Sequence, residues 1–247
     1  MKKHLLSLLL ASLLINLGIA GVSAQAAKPP QPAMAEPVGE APSKPISAVE
    51  QRVFLDDHLG NLAKTADVEY SFKRSGTLGD NFEDKVVLHV RDGGKEKGRL
   101  ASADFLSGNQ AIQIPEVANA EGNPVILYFL ERDIREMATT TKGKRNFFQN
   151  RVRLSLADAD QIKPVTVRFD GRDIKADEVR VQPYLDNPVV KTRAEKYEKK
   201  AYIFTLSDQV PGGVYQIRTT VPSTDEKADA PLVDETMTVA KLRKQTK

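Results

Sequence analysis

The chain contains no cysteine. That excludes thiol nucleophiles, thiolate metal sites and dithiol redox relays, and with them the lipid-modified cysteine that anchors a bacterial lipoprotein. It also excludes disulfides, so the fold must be held by its own core, which a chain of this size can supply. Histidine is scarce: there are three, His4, His58 and His89. His4 lies in an N-terminal leader. His58 and His89 stand on different expected elements without a ligand-spaced partner, so both read as surface residues and no metal site is expected. Asp158-Ala159-Asp160 starts like a calcium loop, but Ile162 and Lys163 occupy positions where that loop needs an oxygen ligand and a glycine. There is no G-x-S-x-G elbow, no P-loop and no G-x-G-x-x-G at the start of a helix. Asp56 and Asp57, adjacent on a helix, would point in different directions and make a poor glycosidase pair. No cofactor is expected, and the chain reads as a non-enzyme.

An excess of one charge is missing too. Lysine and arginine number 36 against 33 aspartates and glutamates, a net charge of +3. Without Lys2 and Lys3 it falls to about +1, which argues against a nucleic-acid partner.

The leader is the strongest positive signal. Lys2 and Lys3 form a basic start. Leu5 to Ala20 is a mainly apolar run, shorter than the ~20 residues of a membrane-spanning helix. Ala24-Gln25-Ala26 supplies small residues where a signal peptidase reads. Residues 1–26 are therefore expected to be a secretory signal, with a mature start near Ala27 in the periplasm or outside the cell. Past the leader no apolar run approaches spanning length, so membrane contact would be peripheral. Residues 27–47 hold Pro29, Pro30, Pro32, Pro37, Pro42 and Pro45 among small residues, a linker composition that cannot bury a core. Residues 48–240 are expected to form one domain, and 241–247 a basic tail.

Within that domain the spacing predicts a first helix over 48–64, capped by Ser47 with Glu50 at the capping-box position. Val68, Tyr70 and Phe72 alternate with polar residues, as do Val86, Leu88 and Val90, which predicts half-buried strands. Arg99 to Phe105 returns as a third strand, and Ala111 to Ile114 is a candidate fourth. Asn123-Pro124 opens the clearest helix, with Ile126, Phe129, Leu130, Ile134 and Met137 as its apolar stripe. A second helix is expected from about Arg145 to Leu156, completing a helical hairpin. Strands resume with Val165, Val167 and Phe169, turn at Asp170-Gly171, and continue through Val179 and Val181. Further strands are expected at Tyr202 to Leu206, Tyr215 to Val221 and Glu235 to Val239.

Two charged clusters are candidate surfaces. Glu131, Arg132 and Arg135, in a run with Asp133 and Glu136, offer a docking face; the plainer reading is a solvated helix face laced with weak exposed pairs. Lys142, Lys144, Arg145, Arg151 and Arg153 surround Phe147 and Phe148. They suit an anionic lipid surface, or simply the basic side of an amphipathic helix.

Taken together the order predicts an α+β fold: a curved, half-barrel-like antiparallel sheet with a helical hairpin packed on one face. From Asp57 to about Phe105 the chain resembles the periplasmic lipoprotein carriers, through Leu59, Leu62, Val68, Tyr70 and Phe72. The phrases around Asn123 to Met137 and Leu206 to Thr219 look like an uncharacterised group of exported proteobacterial proteins, a likeness that carries no activity. The carrier resemblance implies a non-enzymatic periplasmic binding or carrier protein for an apolar ligand or lipidated partner. Tyr70, Phe72 and Leu88 would line its apolar face, and the partner would be a lipid or an envelope protein. The alternative is an accessory module that docks to a cell-envelope complex.

Overall fold

The computed structural model describes residues 45–112, 115–225, 228 and 230–243. The expected signal and the proline-rich stretch up to Lys44 lie outside the described residues, as do Gln113 and Ile114.

The first helix is much shorter than its pattern predicts. Helix α1, Ala48–Glu50, has the expected capping box: Ser47 Oγ accepts from Glu50 N and Glu50 Oε2 accepts from Ser47 N, both at 3.0 Å. It widens at once into a π-helical turn, Gln51–Leu55, and Asp56 is extended. The helix cannot run on because His58 turns back to it. His58 Nε2 lies 2.9 Å from Arg52 O, and His58 Nδ1 accepts from Asn123 N at 3.2 Å. Those contacts fix a neutral tautomer. His58 is 3% exposed, so it is a buried structural residue and not the surface histidine expected.

A meander follows: β1 Ala66–Ser75, β2 Phe82–Asp92, a helical turn α2 Gly94–Lys97, and β3 Arg99–Phe105. The candidate fourth strand reduces, in its described residues, to one bridge between Phe105 and Ile112. The hairpin is α3, Val125–Thr141, and α4, Arg145–Asp158. Strands β4 Lys163–Phe169 and β5 Arg172–Val181 meet at a turn in which Asp170 (φ 48°) and Gly171 (φ 75°) both take the left-handed conformation that a type I′ turn requires. A short helix α5, Pro188–Arg193, precedes β6 Ala201–Leu206, β7 Val214–Val221 and β8 Val233–Arg243. Strand β8 is longer than expected. Lys241, Leu242 and Arg243, expected to belong to a tail, pair with Glu69, Val68 and Asp67.

All neighbours in the sheet are antiparallel, in the order β3-β2-β1-β8-β7-β6-β5-β4. The last strand thus joins two meanders by lying between β1 and β7. Two register shifts bend the ladder: Ala240 is the extra residue opposite Glu69/Tyr70, and Tyr215 the extra residue opposite Thr205/Leu206. The result is a curved, open α+β sheet with edges at β3 and β4. The hairpin covers its concave face.

Alternation decides what that face holds. Val68, Tyr70 and Phe72 of β1, Val86, Leu88 and Val90 of β2, and Met237 and Val239 of β8 are all buried. The stripe of α3 (Ile126, Phe129, Leu130, Ile134 and Met137) is buried above them. Asn123 ties the layers at the start of α3. Its Oδ1 accepts from Val125 N, while its Nδ2 donates to Tyr70 Oη at 2.9 Å and to Gly212 O at 2.7 Å. The turn that meets it needs glycine twice. Gly212 and Gly213 have φ of 76° and 73°, and a side chain at Gly213 would put its Cβ 2.9 Å from the Cβ of His58.

Candidate functional site

The three residues expected to line the apolar face, Tyr70, Phe72 and Leu88, are all buried. Tyr70 and Leu88 are 0% exposed and Phe72 is 1% exposed. Phe72 is the hub. Its ring centroid lies 5.6 Å from Phe82, 6.4 Å from Phe105 and 6.1 Å from Phe129, and the Arg132 guanidinium carbon stands 5.1 Å over its face. Full burial pushes the Tyr70 hydroxyl well above its usual pKa, so it remains a neutral hydrogen-bonding group. The face is occupied by the hairpin's own side chains.

The seam between hairpin and sheet is where sequence reasoning missed most. Glu131, Arg132 and Asp133, read as a solvated helix face, are 8%, 8% and 2% exposed. Two ionic groups run through the seam. In the first, Glu235 of β8 receives both Arg132 and Arg74: Arg132 Nη1 donates to Glu235 Oε2 at 2.8 Å and Oε1 at 3.0 Å, and Arg74 Nη1 donates to Oε1. Arg74 also binds Glu136, Nη2 to Oε1, at 2.7 Å. Burial alone would lift the Glu136 carboxyl, but the hydrogen bond and charge of Arg74 hold it below the usual carboxylate range. In the second group, Lys200 Nζ donates to Asp133 Oδ1 at 2.5 Å and Tyr202 Oη donates to Asp133 Oδ2. Desolvation, with Asp133 alongside, raises the Tyr202 hydroxyl pKa and keeps that proton in place.

A third cluster knits the hairpin itself. Glu131 accepts from Arg135 Nε at 2.7 Å, from Gln149 Nε2 at 3.2 Å and from Arg145 Nη2. Of the three candidate docking residues, Glu131 is therefore spent between α3 and α4. Arg132 lies beneath the hairpin, and only Arg135 keeps a partly exposed side chain, at 45%. They do not form a shared outer face, because α3 presents this turn to the sheet and to α4.

The far side of the sheet holds a separate charged group at a depression of about 320 Å³. His89 of β2 sits between two carboxylates, Nδ1 2.8 Å from Asp67 and Nε2 3.1 Å from Asp104, and Arg91 reaches the same Asp67 oxygen at 2.7 Å. With a carboxylate on each ring nitrogen the imidazole is a strap across three strands. Partial burial works against the charged ring, but its hydrogen bonds to Asp67 and Asp104 prevail and raise its pKa. A raised folded pKa stabilises the fold below the unfolded value of about 6.5, and the stabilisation is lost as pH rises through the folded value. His89→Gln should therefore cost most at pH 5, with the difference from wild type shrinking towards pH 9 in urea unfolding midpoints. A difference independent of pH would show that the ring is not charged in this strap.

No family model matches the chain, and no characterised protein matches it in sequence. Among solved structures, the lipoprotein LppX of Mycobacterium tuberculosis is similar at 10% identity, with 74% of this chain and 89% of that one covered and a TM-score of 0.30. A LolA-superfamily protein of Nitrosomonas europaea is similar at 8% identity, with 80% and 92% covered and a TM-score of 0.22.

Proposed function

We propose that this protein is a non-enzymatic, exported carrier of an apolar ligand, seen here closed, with the α3–α4 hairpin as its cover. One observation carries the reading: the cover is fastened to an apolar face through buried ion pairs. A cover that never moved would be held at least as well by apolar side chains, because desolvating the ions offsets much of their attraction. When the hairpin lifts, Arg74, Arg132, Asp133, Lys200 and Glu235 regain water, which lowers the cost of opening. The face then exposed, around Tyr70, Phe72 and Leu88, is apolar, and an acyl chain can replace the side chains that leave it. The export signal and the periplasmic or secreted location belong to the same proposal.

The second reading, a module docking to an envelope complex, draws on the fact that Tyr70, Phe72 and Leu88 are already covered. A fluorescent fatty-acid probe separates the two. A carrier gives saturable binding that envelope lipid extract displaces and that Phe72→Glu abolishes, because an unpaired charge in that face is costly. Absence of saturable binding to the folded wild type would remove the carrier reading and leave the docking module.

A further inference from the structure

We infer that the surface formed by α4 and the segment 182–200 is a docking surface for an anionic phospholipid bilayer. Four large apolar side chains stand out among the described residues: Leu154, Leu185, Val189 and Leu242, each 41–47% exposed. Three of them belong to one place. Arg151 Nε of α4 donates to Pro183 O at 3.0 Å, and the Phe148 ring meets the Tyr184 ring at 5.7 Å. The first two turns of α4 therefore lie along the 182–187 turn. Leu154 is one turn past Arg151, Leu185 two residues past Pro183, and Val189 is the second residue of α5.

The charge around these side chains is one-sided. Residues 142–158 and 182–200 carry ten lysines and arginines against four acids, while the rest of the chain has a slight acidic excess. Three of the ten are neutralised: Arg145 by Glu131, Lys191 by Asp186 and Glu198, and Lys200 by Asp133. Arg151, Arg153, Lys196 and Lys199 form no ion pair among the described residues, and Arg153 and Lys199 point to solvent.

Protruding apolar side chains set in unpaired basic charge match a headgroup surface, because such a surface engages both. The cations meet the lipid phosphates, and the apolar side chains enter the acyl boundary. An acidic protein would satisfy the cations without using Leu154, Leu185 and Val189. No helix among the described residues is long and apolar enough to cross a membrane, so the contact is peripheral. This inference does not rest on apolar carriage, since none of these residues belongs to the concave face.

The test is co-sedimentation with phosphatidylcholine vesicles, with and without phosphatidylglycerol. It uses the soluble protein recovered from expressing cells, its N-terminus fixed by intact mass. Binding is expected only with phosphatidylglycerol and should weaken as salt is raised. Arg153→Glu with Lys199→Glu should reduce it by about 30-fold, from ~1 kcal/mol per basic residue at such a surface. Leu154→Ser, Leu185→Ser and Val189→Ser together should reduce it roughly tenfold or more. All five positions are exposed, so these variants should keep the wild-type melting temperature. Arg168→Glu, on the exposed edge strand β4, should bind like wild type. Equal binding to phosphatidylcholine alone, or no binding at all, would overturn the inference. So would loss of binding in Arg168→Glu. An apolar triple variant that binds as wild type, with polyglutamate as an effective competitor, would reassign the surface to an acidic protein. Fatty-acid probe uptake should be unchanged in all these variants, so failure here is distinguishable from failure of the carrier reading.

Discussion

Glu235→Ala lowers the stability of the folded protein by about 3–5 kcal/mol, the cost of leaving buried charges without their partner. The carboxylate is 1% exposed and serves two guanidiniums whose residues are themselves 7% and 8% exposed. Removing it leaves Arg74 with Glu136 as its one carboxylate among the described residues, and Arg132 with a 3.5 Å contact to that same residue. A loss of this size is a large part of the ~5–15 kcal/mol that holds a typical domain together. The urea midpoint measures it, and an unchanged midpoint would mean that the seam is solvated. A companion variant tests what the cluster is for. Arg74→Met, Arg132→Met and Glu235→Leu together replace the ions by apolar groups of similar size, a change that is often neutral or stabilising. If the ion pairs serve opening, this variant folds at least as well as wild type and takes up fatty-acid probe poorly or not at all. Normal uptake would show that the charged seam is not what lets the cover lift.

Phe129→Ala is expected to cost about 3–5 kcal/mol as well, by a different route: a lost transfer term plus a cavity. Phe129 is 1% exposed and its ring lies 6.1 Å from Phe72, so the vacated space opens directly onto the concave face. Because such an apolar cavity binds small apolar molecules, benzene or a short alkane should recover part of the lost melting temperature in this variant and do little for wild type. A melting temperature equal to wild type would place the stripe of α3 off the sheet.

Much of the architecture could be read from periodicity, because a one-sided sheet leaves a period-two trace and a packed helix a period near 3.6. Strands β1, β2, β3, β6 and β7, the Asp170-Gly171 turn and both hairpin helices were legible in this way. The position of β8 was not: alternation at Val233, Glu235, Met237 and Val239 announces a strand, but strand order depends on pairings remote in sequence. The first helix failed because its continuation was overridden by His58 reaching back to Arg52, a contact that no local pattern encodes.

The seam left a trace too, spread over several elements. Arg74 is in phase with Val68, Tyr70 and Phe72; Lys200 with Tyr202 and Phe204; Glu235 with Val233 and Met237. Asp133 stands four residues from both Phe129 and Met137. Charges at inward positions on four separate elements, balanced in sign, are the trace of a buried ionic network. Read one element at a time, each looks like ordinary surface charge.

The place of β8 has a consequence for how the chain comes to be made. Until residues 233–243 arrive, β1 and β7 both present bare ladders to solvent, and the two meanders have nothing between them. Glu235 arrives on that same strand, so Arg74 and Arg132 also wait for it. A chain made N-terminus first therefore has β1 to β7 before the strand that joins them, and the two halves lock together only once residues 233–243 have been made.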